Sequence, residues 1–312
     1  MRLVFMGTPG IALPALKALN SRHDVIAVYT QPDACSGRGR VVAGSAVKNE
    51  ALHLGIPVIQ PSGFKNSETV DELRELKPEA IVVVAYGRLL PQSVLEIPRL
   101  GCMNIHFSIL PLHRGASPVA GSILAGDLFT GVSVMLMDKG MDTGPVLSVC
   151  QVPIFDWDTT ISLGSRLADI SGGVICEVLE AWSRQEIQPR LQDESLATYS
   201  GIIRKEDGFI CWDEEAGTIW RKSRAYTPWP GIYTTWQGKI LKLTEVEPAE
   251  YTHCGKPGGV VRLEGNAGMT TGVVTGNGVL GIKKLQMEGK KEVEAADFIR
   301  GQRGFIGSIL PG

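Results

Sequence analysis

A change of rhythm along the chain constrains its fold more than any other feature. Over the first 183 residues, short runs rich in β-branched residues alternate with stretches whose apolar residues recur every three or four positions. "LVFMG" (3–7), "VIAVYT" (25–30), "IPVI" (56–59), "AIVVVA" (80–85) and "CMNIH" (102–106) read as buried strands. Residues 11–19, 46–54 and 67–77 read as helices. Such alternation implies parallel strands joined by helical crossovers, so the predicted architecture is α/β, a doubly wound and mainly parallel sheet. "GVSVMLM" (131–137) and "PVLSVCQVPI" (145–154) read as a strand pair. A helix over about 160–183 places Leu163, Leu167, Ile170, Val174, Val178 and Trp182 along one stripe. The rhythm then stops. Residues 184–206 are polar without a sustained period and read as a linker on the surface. Beyond them, "GIYTTW", "KILKLTEV", "GGVVRL", "TGVVTG" and "VLGIKKLQM" are short strands broken by glycine, the signature of a small OB-like β-barrel. The expected organisation is a catalytic domain over 1–187, a linker over 188–204 and a C-terminal domain over 205–312.

The 312 residues suffice for two domains, each with a core. The apolar runs are too short to span a bilayer, so no membrane partner is expected, and "MRLVFMGTPG" lacks the pattern of a secretory leader. The six cysteines are scattered without a C-x-x-C pair. That argues against a zinc site or a disulfide framework and fits reduced thiols in a cytoplasm. The formal net charge is −2, so no global basic field draws in nucleic acid, and any RNA contact must use local patches.

Chemistry concentrates in "MNIHFSILPLHRG". In an extended chain, alternate side chains share a face about 7 Å apart, so Asn104, His106 and Ser108 fall on one side of a strand otherwise fit for a core. His106 ends a strand of the parallel sheet, where open α/β sheets bind ligands. The other histidines are less telling. His23, His53 and His113 sit in apparent turns or helix ends, and His253 in a polar loop, where a solvated role is the default.

Three further segments bear on the chemistry. "LVFMGTPGIALPAL" does not meet the G-x-G-x-x-G rule, because Pro9 stands where the second glycine would let backbone approach a pyrophosphate. A tight strand-to-helix turn is the better reading, and an NAD enzyme is disfavoured. Asp142, in "DKGMDTG", is by default a turn former, and spacing alone does not bring it to His106. "AYGRLLPQSVL" (85–95) is a βα loop whose backbone can line a flat polar ring.

Together "FMGTP", "TQPD…GRGR", "VVVAYGRLLP", "MNIHFSILPLHRGASPV", "KGMDTG" and "TPWPG" resemble the folate-dependent formyltransferase family along essentially the whole chain. The resemblance implies a Rossmann-like formyltransferase domain and a formyl donor, 10-formyltetrahydrofolate, with no metal. "KEDGFICWDE", "AYTPWPGIYTTWQGKILKL" and "AADFIRGQRGFIG" look like the members acting on initiator methionyl-tRNA, which implies that RNA as partner and a role in translation initiation. A monomer is expected. The family's catalytic Asn, His and Asp match Asn104, His106 and Asp142. Its folate-contacting segment matches Ser108, Ile109, Leu110 and Pro111, with Ile109 replacing leucine, and the backbone of Arg88, Leu89 and Leu90 should face the pteridine. Phe107 stands where a small residue is common, a packing change. The loop that wedges against the tRNA acceptor end matches Pro32–Val47, with Arg38 and Arg40.

The reaction so implied is attack of an amine on a formyl carbon. Asn104 would donate to the oxyanion, His106 would take the amine proton directly or through water or stay protonated in the oxyanion pocket, and Asp142 would hold the imidazole or a bridging water, a carboxylate there raising the imidazole pKa. Ser108 is left to folate contact. Residues 205–312 carry 14 Lys+Arg against 13 Asp+Glu, no strong trap for a polyanion. Lys205 with Arg204, Arg300 with Arg303, and the groups Arg221/Lys222/Arg224, Lys283/Lys284 and Lys290/Lys291 are candidate phosphate contacts, each equally readable as solvated charge. A formyltransferase acting on a sugar-nucleotide amine, a formyl-folate hydrolase and a non-catalytic RNA-binding module remain alternatives.

Overall fold

The computed structural model describes residues 1–36, 41–251, 255–264 and 268–312. Arg38, Arg40 and His253 lie outside the described residues. The chain divides into two compact units. One comprises 1–118, 129–153 and 162–200; the other comprises 119–128, 154–161 and 201–312.

The first unit is built on seven strands: β1 (Arg2–Gly7), β2 (Asp24–Tyr29), β3 (Val58–Ile59), β4 (Ala80–Val84), β5 (Cys102–His106), β6 (Phe129–Leu136) and β7 (Val146–Pro153). Their order is β7-β6-β5-β4-β1-β2-β3. The pairs among β1 to β5 are parallel, whereas β6 runs antiparallel to β5 and to β7. The sheet is therefore mainly parallel and doubly wound, with an antiparallel hairpin at one edge. The all-apolar "AIVVV" of β4 is buried at every position, as a strand covered on both faces must be. The helices Leu13–Arg22, Ala46–His53 and Ser67–Glu75 supply the crossovers. Helix Thr160–Ser183 packs so closely that a Cβ on Gly172 would stand 2.9 Å from the carbonyl of Pro14. Among the described residues no helix is long and apolar enough to cross a membrane.

The stretch read as a linker is fastened to this unit. Arg190 and Val146 exchange backbone hydrogen bonds of 2.8 Å each way, and Tyr199–Ser200 pairs in parallel with Arg114–Gly115. The cause is Arg114, which is fully buried. A buried guanidinium needs acceptors, and it finds them at Gln192 and Glu194.

The second unit carries a six-stranded antiparallel sheet: β8 (Ile232–Trp236), β9 (Lys239–Ala249), β10 (Val260–Arg262), β11 (Thr271–Val274), β12 (Val279–Met287) and β13 (Val293–Glu294). The order is β8-β9-β12-β11-β10, with β13 on β12, a half-barrel. Alternation is clean in β8, where Ile232, Thr234 and Trp236 are buried between half-exposed neighbours. Helices Pro118–Ala125, Ala216–Ala225 and Ala295–Gly301 were not foreseen. The second has only Ala216, Ile219 and Ala225 buried, too sparse a stripe to stand out.

Candidate active site

β5 is an interior strand, and its two faces differ. Met103 and Ile105 are buried on one; Cys102, Asn104 and His106 alternate on the other. The strand ends at His106, so Ser108 does not extend the polar face. It lies in the following turn, fully buried, and its hydroxyl donates to the Leu112 carbonyl at 2.6 Å. Its side chain is thus engaged in holding the turn. Phe107 is buried just past the strand end.

The hairpin between β6 and β7 supplies the carboxylate. Its loop, residues 137–145, is pinned where Met137 N–H donates to the Cys102 carbonyl (2.8 Å) and Leu136 N–H to that of Pro145 (2.9 Å). The loop folds back so that Asp142 reaches both polar groups of β5. Asp142 Oδ1 accepts from Asn104 Nδ2 at 3.3 Å, Oδ2 accepts from the Gly115 amide at 2.8 Å, and Oδ2 stands 3.6 Å from His106 Nδ1. Asp142 adopts φ +56°, a left-handed conformation that aspartate tolerates better than most residues. Gly144 follows at a position where a Cβ would lie 1.8 Å from the Leu136 carbonyl, so the turn requires glycine. Asp142, remote in sequence, thus joins Asn104 and His106 at the carboxyl edge of the sheet.

The imidazole geometry fixes which ring nitrogen carries a hydrogen in the neutral form. His106 Nε2 lies 2.9 Å from the His113 carbonyl, and a carbonyl only accepts, so Nε2 carries the hydrogen. His106 is 5% exposed. Burial pushes its pKa below the usual histidine value, and this outweighs the opposing pull of Asp142 and of the His113 carbonyl. The carboxylate pulls this pKa upward as expected, and desolvation outweighs it. In the neutral ring Nδ1 is a bare lone pair facing Asp142 across a gap too long for a direct hydrogen bond.

His113 is a correction. It is 8% exposed, not solvated, with φ +56°. Its amide donates to Thr198 Oγ1 at 2.8 Å, and its Nδ1 is 3.2 Å from Ser200 Oγ. The backbone it presents is what orients His106. Arg114, Gln192, Thr198 and Ser200 were likewise not foreseen. An arginine next to the strand that bears the chemistry was the available signal.

The residues expected to meet folate are placed variously. Leu90 belongs to the core with Phe64 and Tyr86, whereas Leu89 is exposed. The Arg88 guanidinium donates to the Ser62 carbonyl. Leu110 clusters with Met135 and Val146, flanked by Met137. Met135 pairs with Asn104 across the sheet, so this apolar wall adjoins the polar trio. Ile109 and Pro111 are half-buried beside it.

Most basic residues singled out in the C-terminal half are engaged with near neighbours. Lys222 pairs with Glu214 at 2.5 Å, Lys283 with Glu247 at 2.7 Å and Lys284 with Glu245 at 2.8 Å. Arg300 pairs with Asp297 one helical turn away. Arg224 lies 4.2 Å over the Trp220 ring and donates to the carbonyls of Phe155 and Asp158. Arg221 donates to the Leu124 carbonyl. Lys205, in a short 3-10 turn, and Arg303 are exposed.

Comparison with known proteins places this arrangement. Residues 1–179 match the family model described as Formyl transferase, and residues 202–303 that of the Formyl transferase C-terminal domain. The methionyl-tRNA formyltransferase of Legionella pneumophila (strain Paris) is 45% identical over 300 residues, covering 96% of this chain and 95% of the relative. That of Dehalococcoides mccartyi (strain CBDB1) is 45% identical over 311 residues, covering 99% and 98%. Among solved structures, WlaRD, a sugar 3N-formyl transferase, aligns with a TM-score of 0.66 at 17% identity over 93% of this chain and 99% of its own. HypX from Aquifex aeolicus in complex with tetrahydrofolic acid aligns with a TM-score of 0.60 at 19% identity, over 98% of this chain and 48% of its own. At such identities these two share the fold alone. With both domain models matched and nearly the whole chain aligned to such relatives, this chain belongs to the formyl transferase family, among the methionyl-tRNA formyltransferases.

Proposed function

We propose that the chain, as a cytoplasmic monomer, transfers the formyl group of 10-formyltetrahydrofolate to the α-amine of methionine carried on initiator tRNA. The observation that carries this reading is the 45% identity to methionyl-tRNA formyltransferases across both domains. The buried Leu110–Met135–Val146 cluster adjoins the polar trio through the Asn104–Met135 strand pair, which supports a folate contact by the neighbouring half-buried Ile109 and Pro111.

The folate supplies an activated formyl carbon as substrate; the rest falls to this chain's own groups. Asn104 has two amide hydrogens and gives one to Asp142, so the second is available to the developing oxyanion. One such donor is worth about 3–4 kcal/mol in acyl transfers. His106 Nδ1 is the base. Its ring is held by the His113 carbonyl, it is neutral at pH 7, and its lone pair opens onto the gap before Asp142. A base so placed contributes roughly 10²–10⁴-fold. Once Nδ1 takes the amine proton, the ring becomes a cation in a buried site, and Asp142, 3.6 Å away, is the group that stabilises it. The imidazolium then returns a proton to the departing folate nitrogen. Asp142 therefore acts after proton transfer, not before it.

The test supplies 10-formyltetrahydrofolate with methionyl-tRNA, with an amino-sugar nucleotide, or with neither acceptor. Formyl-methionyl-tRNA formed in the first arm alone is the expected result. Turnover in the second arm or the third would replace this reading with sugar formylation or hydrolysis.

A further inference from the structure

The segment expected to be a passive linker reaches into the site. Gln192 Nε2 donates to the Asp142 carbonyl at 2.8 Å and to the Gly144 carbonyl at 2.7 Å. Its Oε1 accepts from Arg114 Nε at 3.1 Å and from Arg114 Nη2 at 2.9 Å. The orientation of this amide admits no alternative: carbonyls only accept and a guanidinium only donates, so a flipped amide would lose all four contacts. Arg114 is itself held by both carboxylate oxygens of Glu194, at 2.7 and 2.8 Å. Asp142, so clamped, is in the left-handed conformation, and Gly144 sits in a turn with no room for a side chain.

We propose that Gln192 is a positioning residue for the Asp142 carboxylate, holding the Asp142–Gly144 turn against the carboxyl edge of the sheet through its two carbonyls, with Arg114 as its anchor. Gln192 touches no reacting atom. It acts through Asp142, which it keeps within reach of His106 Nδ1 and of the Gly115 amide. The charged and titratable groups that face the imidazole are Asp142 and His113. A shift of the turn alters the first and leaves the second in place. The kinetic consequence rests on the formyl-transfer reading; the structural consequence does not.

Two variants and two readouts test it. Gln192→Ala removes the whole clamp. Gln192→Glu keeps an acceptor for Arg114 but cannot donate to the two carbonyls, so it isolates the contact with the turn. Gln192 is half-buried at the surface, and neither change opens the core. The first readout is hydrogen exchange at the Gly115 amide, whose acceptor is Asp142 Oδ2, with the amides of Arg114 and Arg190 as references. We expect exchange at Gly115 to rise about tenfold or more in both variants while the references hold. The second readout is steady-state kinetics. We expect kcat to fall roughly tenfold to 100-fold, with KM for methionyl-tRNA and for the folate within threefold. Unchanged exchange at Gly115, or a rise shared equally by the reference amides, overturns the proposal. So does wild-type kcat in Gln192→Glu, or a loss confined to KM. If the wild-type chain formylates no tRNA, the function assigned above fails, and the exchange measurement alone decides the role of Gln192.

Discussion

The carboxyl edge of the parallel sheet and the charged face of the antiparallel sheet treat polar residues in opposite ways. At the first, Asn104, His106, His113 and Arg114 are drawn toward the interior, and each has a partner of defined geometry. At the second, Lys283 and Lys284 stand in partly exposed ion pairs with Glu247 and Glu245. The difference is one of desolvation. A buried polar group has a fixed direction because leaving it unpaired is costly, and a fixed direction is what catalysis uses. An exposed ion pair is worth little, and its direction is readily given up to solvent.

This contrast is most easily broken by substitution at the first region. His106→Ala and Asp142→Ala are each expected to lower single-turnover formylation by about 10²–10⁴-fold while the chain stays folded by circular dichroism. A loss under threefold in either would remove it from the mechanism. Asn104→Ala should cost about 10²–10³-fold in kcat, the kinetic equivalent of one oxyanion donor. A change appearing only in KM for the folate would reassign Asn104 to binding.

The protonation of His106 gives a smaller but more specific effect. Because its pKa is lowered on folding, the unfolded chain binds a proton that the native chain refuses. Stability therefore falls with acidification once pH drops below about 6.5, the ordinary histidine value, and the loss continues to the lower native pKa. The acid limb of kcat/KM should likewise have its midpoint below that ordinary value. A midpoint at or above it would restore the imidazolium as the resting form. At the second region the expected effects are smallest. Lys283→Ala should change KM for methionyl-tRNA less than twofold, because its charge is already answered by Glu247. The tRNA KM should still rise steeply with salt while the folate KM does not. Equal salt slopes would remove RNA-backbone contact from the account.

How much of this was legible in the sequence follows the same division. The parallel sheet and helix Thr160–Ser183 were readable because burial on both faces, or along one stripe, leaves a periodic trace. Asn104 and His106 were readable from alternation along β5. The meeting of Asp142 with them was not, since it depends on a loop folding back between β6 and β7, and pattern says nothing of where a loop returns. Ser108 lies past the end of β5, in the turn that follows, where alternation along the strand no longer applies. Arg114 and Gln192 were missed for a different reason. Both look like surface residues in a polar stretch, and only the packing of residues 190–200 onto the first unit gives them partners. The upward pull of the carboxylate on His106 was legible in the sequence, and the burial that outweighs it was not.

The account stands or falls on a neutral His106 that presents Nδ1 as the base. Nitrogen-15 NMR of the imidazole at pH 7, assigned with His106→Gln as reference, reads the tautomer directly. The account predicts a protonated Nε2 and an unprotonated Nδ1. A signal with both nitrogens protonated, or with the hydrogen on Nδ1, would contradict it.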